Sequence, residues 1–449
     1  MWQQSRDILQ RRRPEHRSSK DARFMKRKVH VNDLQLGMYV VEVERPGFKS
    51  ALMFEAFRLE TPAQIDWLRR SCEYVYIDAP ERDRPLHPPR RPLAGLQHGK
   101  PQVMDGSTSK VLLRLGRVTP YNDDVTIAHE LPRAVVALHE ARSLLDQLLL
   151  DAREGSHLDL NGVRRAVEAL TASVVRNPNA LTCLTQLKRR DEYTAIHSLN
   201  VCIIALGFGR HLNLEEEALL ELGVGALLHD IGKSRMPVDL LSKPGCLTAE
   251  EFDLMKRHPE EGVVLVQDSG GVSAGALDVI YSHHERMDGS GYPRRIPGRS
   301  ISLFARMVAL VDYFDAVTSH RSYRDGVGAS TALRELAHLR GVLFDALLVD
   351  EFVQYLGIYP VGSLVELKNG AVGIVSSANR KRRLQPLVTL VLDAHKQELA
   401  QPQLVDLAAI EAVQSQDGYA ISRTLEPESY GIDMTRYLLE IIPRYLQVQ

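Results

Sequence analysis

Two adjacent histidines, His283 and His284, are followed by Glu285 and by the turn-forming run Gly289-Ser290-Gly291-Tyr292-Pro293, and no other stretch of this chain concentrates as much chemistry. Paired imidazoles on a glycine-rich loop suit a metal pocket, because glycine lets the backbone approach a ligand closely and neutral imidazole is the commonest protein metal ligand. Pro293 restricts Tyr292 to extended conformations and so fixes where its ring can point, towards a bound substrate in this reading. An isolated His-His pair is more often a surface turn, so the reading depends on partners elsewhere in the sequence.

The partners lie upstream and downstream. His229-Asp230 follows an apolar run, which puts a histidine and a carboxylate at the edge of a buried helix, where uncompensated polar groups cost several kcal/mol and metal coordination is one way to offset that cost. Lys233, four residues after His229, would share its helical face and could meet a phosphate. His197 sits inside another predicted helix, His258 opens His258-Pro259-Glu260, and Asp312 ends the apolar run from Met307, with Asp315 three residues on along the same face. Five histidines and two aspartates from five separate places offer mixed nitrogen and oxygen ligands for two divalent ions with open positions. Such a set favours iron or manganese, with nickel and zinc as alternatives, over magnesium, and two metals suggest phosphoryl chemistry.

The elements that must position these residues read as a multidomain chain. Residues 1–27 are a basic tail. Residues 28–81 form a small α/β module, with strand character in Met38–Glu44 and Tyr74–Asp78 and a helix opened by Thr61-Pro62 and carried by Ile65, Leu68 and Cys72. A Pro- and Arg-rich linker and connector covers 82–130, and an all-α catalytic domain covers 131–358. Its first helix is amphipathic through Val135, Leu138, Leu145, Leu148 and Leu149 and could pack internally or mediate a homodimer. Residues 359–449 form a small antiparallel β extension. There Asn369-Gly370 predicts a type I′ hairpin, Leu387–Leu392 and Leu404–Leu407 supply further strands, and a terminal helix covers Met434–Tyr445.

Together His229-Asp230, His283-His284-Glu285 and Gly291-Tyr292-Pro293 resemble the signature of HD-GYP domains, HD-superfamily phosphohydrolases that act on the bacterial second messenger cyclic di-GMP. The resemblance runs from about Asp191 to Tyr359 and includes Lys243-Pro244-Gly245 and Asp312-Tyr313-Phe314-Asp315. The module before the linker is similar to the small domain that precedes HD-GYP domains in some bacterial proteins. Carried over by position, the resemblance implies one metal surrounded by His197, His229, Asp230 and Asp312. Asp230 would bridge to a second, held by His258, His283 and His284. Lys233 would touch the scissile phosphate, and Arg321 and Arg324 would bind phosphate oxygens. Members proposed to hold a third metal carry a glutamate four residues before the first histidine; here that position is Tyr193, so the resemblance implies a binuclear site that releases linear pGpG more readily than GMP.

Composition sets the outer limits. Lys and Arg number 56 against 57 Asp and Glu, for a net charge of −1, which argues against a binder of nucleic-acid polymers. Four scattered cysteines fit reduced thiols, the start lacks an apolar signal segment, and no apolar run is long enough to span a bilayer, so the expectation is a cytoplasmic protein without stable membrane insertion. Two alternatives stand beside the cyclic di-GMP phosphodiesterase: a phosphohydrolase of another nucleotide, and a silent module that binds the dinucleotide or a diguanylate cyclase-type partner through the Gly-Tyr-Pro loop. The metal ligands, all retained, favour the enzyme.

Overall fold

The computed structural model describes residues 26–44, 57–59, 62–78, 121–122, 125–185, 193–243, 247–319, 326–377, 379, 382, 384–413, 417–425 and 429–432. The chain divides into two units, Met1–Pro92 and Leu93–Gln449.

In the first unit, β1 (Lys26–His30), β2 (Tyr39–Glu44), β3 (Phe57–Arg58) and β4 (Tyr74–Asp78) make an antiparallel sheet in the order β1-β4-β2-β3. Helix α1 (Pro62–Ser71) begins at the proline, where a missing N–H costs nothing. It buries Ile65 and Leu68, while Val29, Val40, Val75 and Ile77 are buried from the strands.

The described residues of the second unit are mainly helical up to residue 356. Helix α2 (Ile127–Glu154) starts four residues before the expected boundary at 131, because the Thr126 side chain caps it by accepting from His129 N–H, and it ends at Gly155 in the left-handed conformation. Its buried stripe is Leu131, Ala134, Ala137, Ala141, Leu145, Leu148 and Ala152, whereas Val135 is 45% exposed. The expected face was therefore partly wrong. Alanines, not the larger Val135, line the seam, since small side chains let neighbouring helices approach. Helices α3 (Leu160–Arg176), α4 (Pro178–Thr185), α5 (Tyr193–His211) and α6 (Glu216–Leu228) follow. The last two are apolar on nearly every face, the mark of helices at the centre of a core. A short α7 (Val238–Leu241), then α8 (Ala249–Met255), α9 (His258–Asp268), α10 (Ala274–Ser282), α11 (Leu303–Thr318), α12 (Ala329–Leu339) and α13 (Ala346–Leu356) complete the helical part.

A five-stranded antiparallel sheet ends the described chain. Its strands β5 (Leu364–Leu367), β6 (Val372–Ser377), β7 (Leu387–Leu392), β8 (Glu398–Asp406) and β9 (Ile421–Leu425) lie in the order β8-β7-β6-β5-β9. One face, with Leu364, Ile374 and Val391, packs with Cys183 of α4; Val365, Val375 and Val388 belong to a second cluster. The Asn369-Gly370 hairpin is present, but with a different turn. Only Gly370 takes positive φ, Gly370 N–H donates to Leu367 O, and Leu367 N–H to Ala371 O, so the loop is a three-residue hairpin with the glycine in the left-handed position. The expected terminal helix lies outside the described residues, as do Arg321 and Arg324.

Candidate metal centre

The ligand candidates come from five helices. His197 lies on α5, His229 directly follows α6, His258 opens α9, His283 and His284 follow α10, and Asp312 and Asp315 lie on α11. Asp230 starts a 3-10 segment, Ile231–Arg235, that runs against the beginning of α9. That approach needs a glycine: a Cβ on Gly232 would meet the backbone oxygen of His258 and the backbone nitrogen of Gly262.

Asp230 is the hub. Its Oδ2 lies 3.4 Å from His229 Nε2 and 3.8 Å from His197 Nε2, while its Oδ1 lies 3.3 Å from His258 Nε2 and 3.8 Å from His283 Nε2. Each oxygen of one carboxylate thus faces its own pair of imidazoles. Two groups of ligand atoms result, His197-His229-Asp230 and Asp230-His258-His283-His284, all buried. Asp312 stands beside the first, with its Oδ1 3.0 Å from His197 Nε2 and 3.9 Å from His229 Nε2.

The other ring nitrogens hold the imidazoles in place. Nδ1 of His229, His258 and His283 lies 2.7, 2.8 and 3.0 Å from the carbonyls of Ala226, Met255 and Ile280 respectively. A carbonyl only accepts, so each Nδ1 carries the proton and each Nε2 presents a lone pair. Two of those lone pairs, on His258 and His283, face each other at 3.2 Å. His229 Nε2, Asp230 Oδ1 and both ring nitrogens of His284 are buried without a hydrogen-bond partner. Lone pairs gathered in this way repel one another unless a cation lies between them, so the donor set fits two metal ions.

Protonation states follow the same pattern. Burial pushes His258 down to about 4 and holds His283 and His284 well below the ordinary imidazole range, which keeps them neutral. His197 goes the other way. Burial opposes its charge, but hydrogen bonds to Asp312 and to Asp315, whose Oδ2 is 2.8 Å from Nδ1, lift it to about 9. Asp315 is itself held by Asn200 Nδ2 at 3.2 Å and by the Ser319 hydroxyl at 3.2 Å. Burial likewise opposes ionisation of Asp230, but the Lys233 ammonium beside it keeps its carboxyl well below the usual range.

Two features depart from the sequence reading or extend it. Lys233 lies in 3-10 geometry, where residues three apart eclipse, so its Nζ reaches Asp230 Oδ2 at 2.6 Å instead of sharing a face with His229 four residues back. Glu285, noted only as part of the loop motif, is 2% exposed and folds that loop onto the ligands. Its two oxygens accept from the backbone N–H groups of Arg294 (2.8 Å) and Ile296 (3.2 Å). Tyr292 N–H donates to His284 O, and the Tyr292 ring stacks on the His284 ring with centroids 4.6 Å apart. A carboxylate next to a ligand pair, in a loop whose backbone N–H groups need acceptors, was the available signal.

A helical domain that places one carboxylate between two buried histidine clusters defines a metal-dependent hydrolase. The HD-domain family profile matches residues 175–348, and a domain of unknown function, DUF3391, matches residues 26–163. A cyclic di-GMP phosphodiesterase of Pseudomonas aeruginosa is 36% identical over 85% of this chain and 89% of its own length. The cyclic di-GMP phosphodiesterase response regulator of Xanthomonas campestris pv. campestris is 40% identical over 38% of this chain and 47% of its own. A 3'3'-cGAMP-specific phosphodiesterase of Vibrio cholerae is 30% identical over 46% of this chain and 36% of its own. The chain belongs to the HD-GYP family of the HD superfamily, with the accessory module of that architecture at its N-terminal side. Among the described residues no helix is long and apolar enough to cross a membrane.

Proposed function

We propose that this enzyme hydrolyses cyclic di-GMP to linear pGpG and carries the product on to GMP slowly or not at all. The observation that carries the reading is the shared carboxylate of Asp230, whose two oxygens face separate histidine clusters. Support for the substrate comes from the Pseudomonas relative, which matches over nearly the whole chain, against the shorter match to the cGAMP-specific enzyme.

In this reading His197, His229, Asp230 and Asp312 would hold one ion, and Asp230, His258, His283 and His284 would hold the other. Bound there, two divalent ions, iron or manganese in our assignment, would lower the pKa of water towards neutrality and offset charge on the phosphoryl oxygens. The protein's own groups do the rest. Asp230 balances both ions, and Asp315 fixes the His197 ring from behind. Lys233 moves its ammonium from Asp230 to a phosphate oxygen, while Arg321 and Arg324 bind the remaining phosphate oxygens and Tyr292 borders the substrate. A water oxygen forms a bond to phosphorus, the P–O3′ bond breaks, and the proton from water ends on the departing 3′ oxygen. The arrest at pGpG rests on Tyr193, which occupies the position of a third-metal glutamate.

The test is anaerobic turnover of cyclic di-GMP and 3'3'-cGAMP by protein reconstituted with Mn²⁺ or Fe²⁺, with products separated by chromatography and Asp230→Ala as control. Faster turnover of cyclic di-GMP, with pGpG accumulating and at least a ~100-fold loss in the variant, is expected from removal of a shared ligand. A preference for cGAMP, or equal rates for both cleavage steps, would sink the substrate or the product assignment.

A further inference from the structure

His284 is the exception among the ligand histidines. His229, His258 and His283 each hold one ring nitrogen on a backbone carbonyl, and His197 holds one on Asp315. Neither ring nitrogen of His284 has a hydrogen-bond partner, although the residue is only 5% exposed. An imidazole without a polar anchor can rotate about its side-chain bonds, and a ligand that rotates binds metal less tightly.

Something else must orient it. The Tyr292 ring lies nearly parallel to the His284 ring, with centroids 4.6 Å and planes 23° apart, and the Phe252 ring meets Tyr292 edge-on at 6.2 Å. The loop that carries Tyr292 is tied down at both ends. Tyr292 N–H donates to His284 O at 3.2 Å, Gly291 lies so close to the backbone of His284, Glu285 and Arg286 that a Cβ has no room, and Glu285 accepts from Arg294 and Ile296. We propose that Tyr292 and Glu285 are positioning residues for the second metal site: the Tyr292 ring gives His284 the orientation that no hydrogen bond supplies, and Glu285 holds the loop that carries the ring. This concerns the metal centre and holds whichever cyclic dinucleotide is cut.

The consequence is selective. Loosening His284 should weaken only the ion held with His258 and His283, and leave the ion at His197 and His229 in place. Three variants of the full chain test it: Tyr292→Phe keeps the stacking ring, Tyr292→Leu removes it, and Glu285→Gln leaves one acceptor oxygen for two backbone N–H groups. Chelator-stripped protein is titrated with Mn²⁺, and anomalous scattering from Mn²⁺-loaded crystals shows which ion is lost. We expect two ions per chain with unchanged affinity in Tyr292→Phe. In Tyr292→Leu we expect a loss of ~10–100-fold confined to the His284 site, the size typical for removing a group that orients a metal ligand, with a smaller loss there in Glu285→Gln. Full affinity at both sites in Tyr292→Leu would overturn the proposal, and so would equal weakening of both, which marks general structural damage. If Glu285→Gln does not fold, the contrast between the two Tyr292 variants decides the matter alone.

Discussion

Raising the pH from about 6.5 to 9 should tighten metal binding at one of the two sites and, in the same range, loosen the metal-free fold. In metal-free protein His197 is lifted to about 9, with burial opposed and outweighed by Asp312 and Asp315. An unfolded histidine titrates near ~6.5, so this one adds stability that is fully present below that value and lost as pH climbs through 9; the span of roughly 2.5 units corresponds to at most ~3 kcal/mol. Metal binding reverses the sign, because an ion needs the Nε2 lone pair and must displace the proton. At pH 7 that displacement costs about 100-fold in affinity, recovered about tenfold per pH unit towards 9. His258, His283 and His284 are kept neutral by burial, so the other site should change little over this range. Calorimetric titration of Mn²⁺ into stripped protein at pH 6.5, 7.5 and 8.5, in buffers of different ionisation enthalpy, counts the protons released. The expected result at pH 7.5 is about one proton released for one of the two ions and none for the other. Flat affinity and no proton release at both sites would show that His197 is not held in its charged form and would refute the reasoning.

Two substitutions follow from the same geometry. Asp315→Asn should weaken the ion at His197 by ~10–100-fold and reduce the proton release described above, since an amide orients the imidazole poorly and carries no charge, while Asp312 still faces the ring; unchanged proton release in calorimetry would count against it. Gly232→Ala places a methyl against the carbonyl of His258 and should lower stability by about 1–3 kcal/mol, with loss of the ion that His258 binds. A thermal melt and a metal count check it, and wild-type values for both would show that the two segments separate more easily than the structure implies.

How much of this was legible in the sequence depends on what kind of signal each part leaves. The candidate ligands that the structure gathers around Asp230 could be picked out because a histidine or aspartate at the end of an apolar run is costly to bury, and five such places in one helical region share one explanation. Residue type was enough there. Geometry was harder to read. Lys233 was assigned by α-helical spacing to the face of His229, but the 3-10 segment turns it towards Asp230. The stripe on α2 was assigned through its larger side chains, whereas the helix packs through Ala134, Ala137 and Ala141, whose size leaves a weak hydrophobic pattern but permits close approach. Strand β9 was missed because Ile421–Leu425 is short and has two exposed residues at its centre, and only pairing with β5 makes it a strand. Glu285 escaped notice because its partners are backbone N–H groups, which every residue but proline carries.

The spread of the ligands along the chain has a mechanical meaning. His197 and Asp312 are 115 residues apart, and the imidazoles carried by α5 and at the ends of α6, α9 and α10 converge on Asp230. Two ions seated there act as fasteners that close long loops, much as a disulfide does, and the entropy they remove from the unfolded chain grows with the length of chain enclosed. Metal supply would thereby set how firmly the helical bundle is stitched together as well as whether it can turn over substrate, and a cell short of metal would hold an enzyme that is both idle and easier for proteases to open.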